Sequence, residues 1–151
     1  MDQEQARRWL TTALDEARAG LAEGGIPIGA ALYGPDGALL GHGRNRRVQD
    51  GDPSLHAETA AFRAAGRRRS YRGTTVVTTL SPCWYCAGLV RQFGISRVVV
   101  GEADTFPGAQ GWLAAHGVDV IVLKDPDCTA LMREFIRTSP ELWNEDIGDD
   151  T

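Results

Sequence analysis

The chain has 151 residues, of which 42% are hydrophobic and 24% charged, and its formal net charge at pH 7 is -4. This length predicts one domain, residues 1–151, and the acidic balance excludes a general attraction to nucleic acid or to anionic membranes. No apolar run is long enough to span a bilayer, and the polar segment from Met1 to Arg8 is not typical of a signal peptide.

The first half of the chain predicts a long helix, a hairpin and a shorter helix. Apolar residues recur at helical spacing over about residues 2–22, and a pair of glycines ends this helix. Apolar runs at 28–33 and 38–43 flank a Gly-Pro-Asp-Gly turn, which is typical of a β-hairpin. A polar loop at 44–54 then leads into a short helix over about 55–65.

The second half alternates strands with helices. Residues 74–79 are all Thr or Val and predict a strand, and Pro82 suits the first turn of a helix that runs to about Phe93. The remaining predictions are strands at 97–100 and 118–123, a loop at 101–108, helices at 109–116 and 126–138, and a short acidic tail after Pro140. This order predicts an α/β fold with a single mixed five-stranded sheet and helices on both faces. The later strands should be parallel, and the hairpin should add an antiparallel edge.

Two short motifs carry the chemistry, and each opens a predicted helix. The first contains His56 and Glu58, and the second, Pro-Cys-Trp-Tyr-Cys, contains Cys83 and Cys86. Together they supply three zinc ligands, His56, Cys83 and Cys86, and one carboxylate that need not bind the metal. A structural zinc site has four protein ligands, whereas a catalytic site keeps one position open for water. The pattern H-x-E with P-C-x-x-C is typical of zinc-dependent base deaminases, in which Glu58 would be the general acid–base.

A structural zinc site is the alternative, and it would need a fourth ligand. Cys128 lies in an apolar helix and is expected to be a buried, inert thiol, whereas His42 and His116 lie beside glycines and are expected at the surface. A structural site also leaves Glu58 without a purpose, which favours the catalytic interpretation. The odd count of three cysteines argues against a disulfide framework, and we expect a cytoplasmic protein.

Further short stretches extend beyond these motifs, namely residues 23–29 (EGGIPIG), 43–45 (GRN), 55–58 (LHAE), 78–83 (TTLSPC), 99–102 (VVGE) and 143–148 (WNEDIG). In these stretches the chain resembles the fungal-type cytosine deaminases of the cytidine deaminase-like superfamily. The Leu-Ser-Pro-Cys run and the Trp-x-Glu-Asp-Ile-Gly tail are its narrowest markers. The chain departs from those enzymes at Ala57, where glycine is expected, and at Trp84, Tyr85 and Asn144.

The resemblance implies a three-layer α/β/α fold, a homodimer, one Zn²⁺ per subunit and the conversion of cytosine to uracil and ammonia. It implies that Asn45 and the Ala57 backbone N–H bind the pyrimidine edge that carries O2. The Ser81 carbonyl and the Asp146 carboxylate would accept from the amino group that is lost. The tail would cover the substrate, and the walls around the ring would come from Ile28, Phe106 and Trp143.

Composition alone gives these residues simpler roles. Asn45 would cap a turn, Phe106 and Trp143 would be core aromatics, and Asp146 would lie in a solvated terminus.

Three other functions remain open from the sequence. Isocytosine or guanine could replace cytosine as the free base, because zinc and Glu58 are generic to such reactions. A tRNA adenosine deaminase would need a basic surface, and the only basic run, residues 66–72, is more simply a solvated turn. A zinc-stabilised binding module would need four protein ligands. We therefore expect a small-molecule nucleobase as the partner, and neither nucleic acid nor membrane.

Overall fold

Five strands form one mixed sheet in the order β2-β1-β3-β4-β5 in a computed structural model that describes residues 1–150. The strands are β1 (Gly29–Tyr33), β2 (Leu39–Arg44), β3 (Thr75–Leu80), β4 (Arg97–Glu102) and β5 (Asp119–Val122). β1 pairs antiparallel with both β2 and β3, whereas β3, β4 and β5 are parallel. The predicted hairpin edge and the parallel later strands are confirmed.

Helices cover both faces of the sheet. They are α1 (Gln3–Ala22), α2 (Arg47–Asp50), α3 (Ala57–Ala65), α4 (Trp84–Phe93), α5 (Gln110–Ala115), α6 (Pro126–Thr138) and α7 (Pro140–Ile147). Val98 and Val100 of β4 pack with side chains of α4 and α5, whereas Val99 packs with those of α1 and α6. The three-layer α/β/α architecture is therefore confirmed. None of the helices described combines the length and the apolar character that a membrane span requires.

Two segments that the sequence predicts to be irregular are helical. The polar loop contains α2, where the Asn45 side chain accepts a hydrogen bond from the backbone N–H of Arg47 at 3.0 Å. The acidic tail forms α7, which begins at Pro140 and ends before Gly148, a residue in the left-handed region with φ of 71°. Trp143 of this helix is buried. Core packing therefore holds a segment whose composition is that of a solvated terminus.

Gly29 allows α1 to lie directly on β1. A Cβ atom there would lie 1.9 Å from the carbonyl oxygen of Ala13 in α1, a clash that only a backbone shift can relieve. We expect Gly29→Ala to lower the free energy of unfolding by at least about 1–3 kcal/mol, the usual cost of overpacking, in a urea titration.

Gly88→Ala in α4 is the matched control for this substitution. Apart from Gly88 itself, its two chain neighbours and the backbone of its own helix within four residues, none of the described atoms lies within 4 Å of a Cβ atom at this position. Replacing a helix-interior glycine by alanine stabilises by about 0.5–1 kcal/mol. An unchanged unfolding midpoint for Gly29→Ala would contradict the close contact between α1 and β1.

Candidate active site

The N-terminal ends of two helices bring the predicted metal ligands together at one end of the strands. His56 takes the N-cap position of α3, and Cys83 takes that of α4, with Cys86 one turn later. Because β3 leads into α4, the cysteines lie beyond the carboxyl end of a parallel strand, where α/β sheets commonly bind ligands. The Nδ1 atom of His56 lies 3.5 Å from the Sγ atom of Cys83 and 3.6 Å from that of Cys86.

The spacing of these three atoms fits a zinc ion. Bonds of about 2.0–2.3 Å to a tetrahedral ion separate neighbouring ligand atoms by about 3.3–3.8 Å. One imidazole and two thiolates also match the preference of zinc for nitrogen and sulfur. Within residues 1–150, the only cluster of His, Cys, Asp or Glu donors with metal-site spacing is His56, Cys83 and Cys86. Three protein ligands are typical of a catalytic rather than a structural zinc site.

The residues considered as a fourth ligand have other neighbours. Cys128 is buried in the cluster that α1 forms against the sheet, and burial raises the pKa of its thiol. The Nδ1 atom of His42 lies 3.1 Å from the Glu16 carboxylate. The His116 ring stacks on Trp112, with ring centroids 4.1 Å apart. A four-ligand structural site therefore has no support in the part of the chain that the structure describes.

Glu58 lies in the first turn of α3, with only 6% of its surface exposed. Burial, reinforced by the negative charge of Cys83, raises the pKa of the Glu58 carboxyl to about 7. A carboxyl group with a pKa near the working pH can both accept a proton and return it. The position of Glu58 beside the metal ligands therefore suits general acid–base catalysis.

The metal ligands also change one another's pKa values. The hydrogen bond with Cys86 lowers the pKa of Cys83 to about 4, and His56 contributes in the same direction. Burial lowers the pKa of His56, but its hydrogen bond with Cys83 and the surrounding negative charges outweigh burial and raise that pKa to about 9. The hydrogen bond to Cys83, together with burial, raises the pKa of Cys86. A metal ion must therefore displace protons from His56 and Cys86. Because protons compete with the metal for these side chains, metal affinity decreases as the pH falls.

A pocket lies beside Glu58 and the metal ligands. Its lining includes all the substrate-binding residues that the sequence analysis proposes, namely Ile28, Asn45, Ala57, Ser81, Phe106, Trp143 and Asp146. Leu80 and Ile147 also line the pocket, although they are not among the predicted residues. Ile147 lies four residues after Trp143 in α7 and therefore on the same helix face, so the helical spacing would have found it. Leu80 is the last residue of β3, and its apolar character alone gave no functional signal.

Asn45 and Asp146 form the polar edge of this pocket. Asn45 is buried, and its Nδ2 atom donates to both carboxylate oxygens of Asp146 at 3.3 Å. Burial raises the pKa of Asp146, although the charge of His56 and the hydrogen bond from Asn45 oppose that rise. Ala57 is the first residue of α3, so its backbone N–H has no partner within the helix and is suited to bind a substrate oxygen.

Two aromatic side chains also line the pocket. The rings of Phe106 and Trp143 meet edge to face, with centroids 5.7 Å apart and an interplanar angle of 90°. Trp143 also packs in a buried cluster with Met132 and Phe135 of α6. The core of the protein thus fixes α7 in a position that covers the pocket.

Sequence comparisons agree with this geometry. The family model for the cytidine and deoxycytidylate deaminase zinc-binding region matches residues 3–102. The cytosine deaminase of Candida albicans is 43% identical over 145 residues, which make up 95% of this chain and 97% of that protein. The match to that relative therefore extends well beyond the metal motifs.

Solved structures of two other kinds of deaminase share the fold. A tRNA:A34 deaminase superposes with a TM-score of 0.75 at 27% identity, covering 83% of this chain and 99% of that one. A guanine deaminase from Nitrosomonas europaea superposes with a TM-score of 0.69 at 26% identity, covering 84% and 82%. With its three-ligand metal site and its buried glutamate, the chain belongs to the cytidine and deoxycytidylate deaminase family of zinc-binding enzymes, which hydrolyse C–N bonds.

Proposed function

We propose that this enzyme deaminates free cytosine to uracil and ammonia. The observation that carries the proposal is the pocket beside Glu58, whose lining combines the hydrogen-bonded polar pair Asn45 and Asp146 with the aromatic pair Phe106 and Trp143. A small flat base offers few atoms for recognition, so a site with polar groups at its edge and apolar groups at its faces suits it. The similarity to the Candida albicans cytosine deaminase supports the same substrate.

Each polar group of the pocket has a proposed role toward cytosine. The Asn45 amide and the Ala57 N–H bind the edge that carries O2, with Asn45 also at N1. The Asp146 carboxylate and the Ser81 carbonyl accept from the exocyclic amino group. The backbone N–H of Ser81 donates to the Glu102 carbonyl oxygen at 2.9 Å and its hydroxyl bonds to Gln110, which supports the carbonyl as the substrate-binding group. The apolar walls around the ring are Ile28, Phe106 and Trp143.

The chemistry follows from the position of Glu58. His56, Cys83 and Cys86 would hold a zinc ion, which would supply the Lewis acidity that makes water a nucleophile near neutral pH. Glu58 takes a proton from this water and gives it to the ring nitrogen beside the reacting carbon. As the water oxygen bonds to the reacting carbon and the C–N bond breaks, Glu58 moves the second water proton to the departing amine, so that cytosine and water become uracil and ammonia. Burial of Glu58 supports this role because it keeps the carboxyl pKa close to neutrality.

Guanine is the second candidate substrate, because the guanine deaminase of Nitrosomonas europaea shares the fold. The covering helix α7 and the buried Trp143 favour the smaller pyrimidine ring. The same cover disfavours a tRNA loop, and a net charge of -4 gives no general attraction to a phosphate backbone.

Ammonia release from a panel of substrates tests this proposal. The panel contains cytosine, 5-methylcytosine, cytidine, isocytosine, guanine, adenine and a tRNA anticodon stem-loop. We expect the highest kcat/KM for cytosine. A higher value for guanine would move the substrate assignment to purines, and efficient inosine formation in the stem-loop would overturn the free-base assignment.

We further propose a cytoplasmic homodimer in which the whole chain is one deaminase domain, with a role in pyrimidine salvage. Trp84, Tyr85 and Trp112 are 69%, 49% and 36% exposed, and the two tryptophan rings meet edge to face with centroids 6.1 Å apart. Exposed aromatic surfaces of this kind are typical of protein interfaces. Sedimentation equilibrium should give a dimer for the wild type and a monomer for Trp84→Glu, and a monomeric wild type would refute the dimer.

The free cysteines suit a reducing compartment, which supports the proposed cytoplasmic location.

A further inference from the structure

We propose that Glu102 is a positioning residue that holds Phe106 over the substrate pocket. This inference rests on the proposed function, which places Phe106 in the wall around the base. Glu102 ends β4 and its side chain is fully buried, yet neither proton transfer nor metal binding uses it. A buried carboxylate is costly unless it is paired or hydrogen-bonded, so its partners indicate what it does.

The partners of Glu102 are the two residues that come directly before Phe106. The Oε2 atom of Glu102 accepts hydrogen bonds from the backbone N–H groups of Asp104 at 2.8 Å and of Thr105 at 3.0 Å. The other carboxylate oxygen accepts from the Thr105 hydroxyl. Hydrogen bonds to a charged acceptor are roughly twice as strong as neutral ones. The carboxylate therefore fixes the backbone of this loop just before Phe106.

The same loop is also fixed against the pocket at both of its ends. At its start, the Glu102 carbonyl oxygen accepts the Ser81 N–H at 2.9 Å. At its end, a Cβ atom on Gly108 would lie 2.3 Å from the Pro82 carbonyl oxygen, so the chain there passes directly against the start of α4. Phe106 lies between these two attachments and meets Trp143 edge to face.

Removal of the carboxylate should therefore affect substrate binding more than chemistry. The amides of Asp104 and Thr105 would lose their acceptor, and the loop would no longer hold Phe106 in one position. Glu58 and the metal ligands lie on α3 and α4, which Glu102 does not support through its side chain. The expected signature is a higher KM for cytosine at nearly constant kcat.

Two substitutions of Glu102 test this role. We expect Glu102→Ala to raise KM for cytosine by at least about tenfold, with kcat within about threefold and the zinc content unchanged. Glu102→Gln should recover most of the wild-type KM, because its amide oxygen can still accept both N–H groups while its NH₂ group donates to the Thr105 hydroxyl.

Asp125→Asn is the matched control, and Thr105→Val is the milder probe. Asp125 follows the neighbouring strand β5, and its carboxylate caps α6 by accepting the Cys128 N–H at 3.0 Å, so its variant should leave KM unchanged even if stability falls. Thr105→Val removes only the hydroxyl bond to Glu102 and should raise KM about threefold. This variant keeps the proposal testable if Glu102→Ala does not fold.

Two kinetic results would overturn the proposal. One is an unchanged KM for cytosine in folded Glu102→Ala or Thr105→Val, which lose hydrogen bonds of the Glu102 carboxylate. The other is a parallel loss of kcat and bound zinc in these variants. A wild type without activity on cytosine would instead refute the proposed function. Amide hydrogen exchange in the zinc-loaded protein then decides the role of Glu102 without substrate. Exchange about tenfold faster than in the wild type, confined to residues 103–108 of a Glu102 or Thr105 variant, would support the positioning role of Glu102. Unaltered exchange in these residues would overturn that role.

Discussion

Glu58→Gln will reduce kcat for cytosine deamination by about 10²–10⁴-fold and leave one zinc ion per chain. The amide keeps the size of the side chain but can neither take a proton from water nor return it to the departing amine. Because Glu58 is buried and its carboxyl pKa is raised to about 7, no exposed group can readily replace it as the acid–base. Ammonia release and metal analysis of the same preparation measure both parts of this prediction.

Glu134→Gln is the matched control for this experiment. Glu134 lies on α6 and pairs with Arg137 at 2.6 Å, with both side chains well exposed, so its loss should leave kcat and stability almost unchanged. If Glu58→Gln kept a tenth or more of wild-type kcat, Glu58 would not be the proton carrier. If it lost zinc as well as activity, its main role would be in building the metal site.

Ending the chain after Pro140 will give a zinc-containing protein that releases almost no ammonia. This truncation removes Trp143, Asp146 and Ile147 from the pocket, whereas the metal ligands and Glu58 lie on α3 and α4. Loss of one polar partner and two apolar walls should lower kcat/KM for cytosine by at least about 10³-fold. Steady-state kinetics, circular dichroism and zinc analysis measure activity, folding and metal retention separately.

Asp146→Ala provides a second test of the covering helix that preserves its packing. The truncation also uncovers Met132 and Phe135 of α6, so it will lower stability and could prevent folding. Asp146→Ala leaves Trp143 in place and should still lower kcat/KM strongly, because Asn45 then loses its carboxylate partner. Full activity in either folded variant would show that α7 does not contribute to substrate binding.

The metal site was predictable from sequence because its residues occupy positions with a strong local rule. His56 and Cys83 are both N-cap residues, and Cys86 follows Cys83 at helical spacing, so the motifs determine the ligand geometry once the two helices are placed. The parallel later strands and the antiparallel hairpin edge followed in the same way from the alternation of strands and helices. Local pattern and tertiary structure agree in these regions.

The cover over the pocket was harder to predict because long-range contacts decide it. Residues 145–150 include four acidic side chains, and their composition predicts a solvated tail, but Trp143 packs into the core and α7 forms around it. Glu102 gave no signal of its own, because its role depends on three donors that only the folded loop provides. The family resemblance supplied Asn45 and Asp146, whose hydrogen bond joins residues about a hundred positions apart.

Zinc titration of the metal-free protein, with ammonia release from cytosine followed at each addition, tests the central claim most directly. We expect activity to be absent without metal, to rise in proportion to bound zinc and to saturate at one ion per chain. Full zinc occupancy without deamination of cytosine, or deamination that persists after complete removal of the metal, would contradict it.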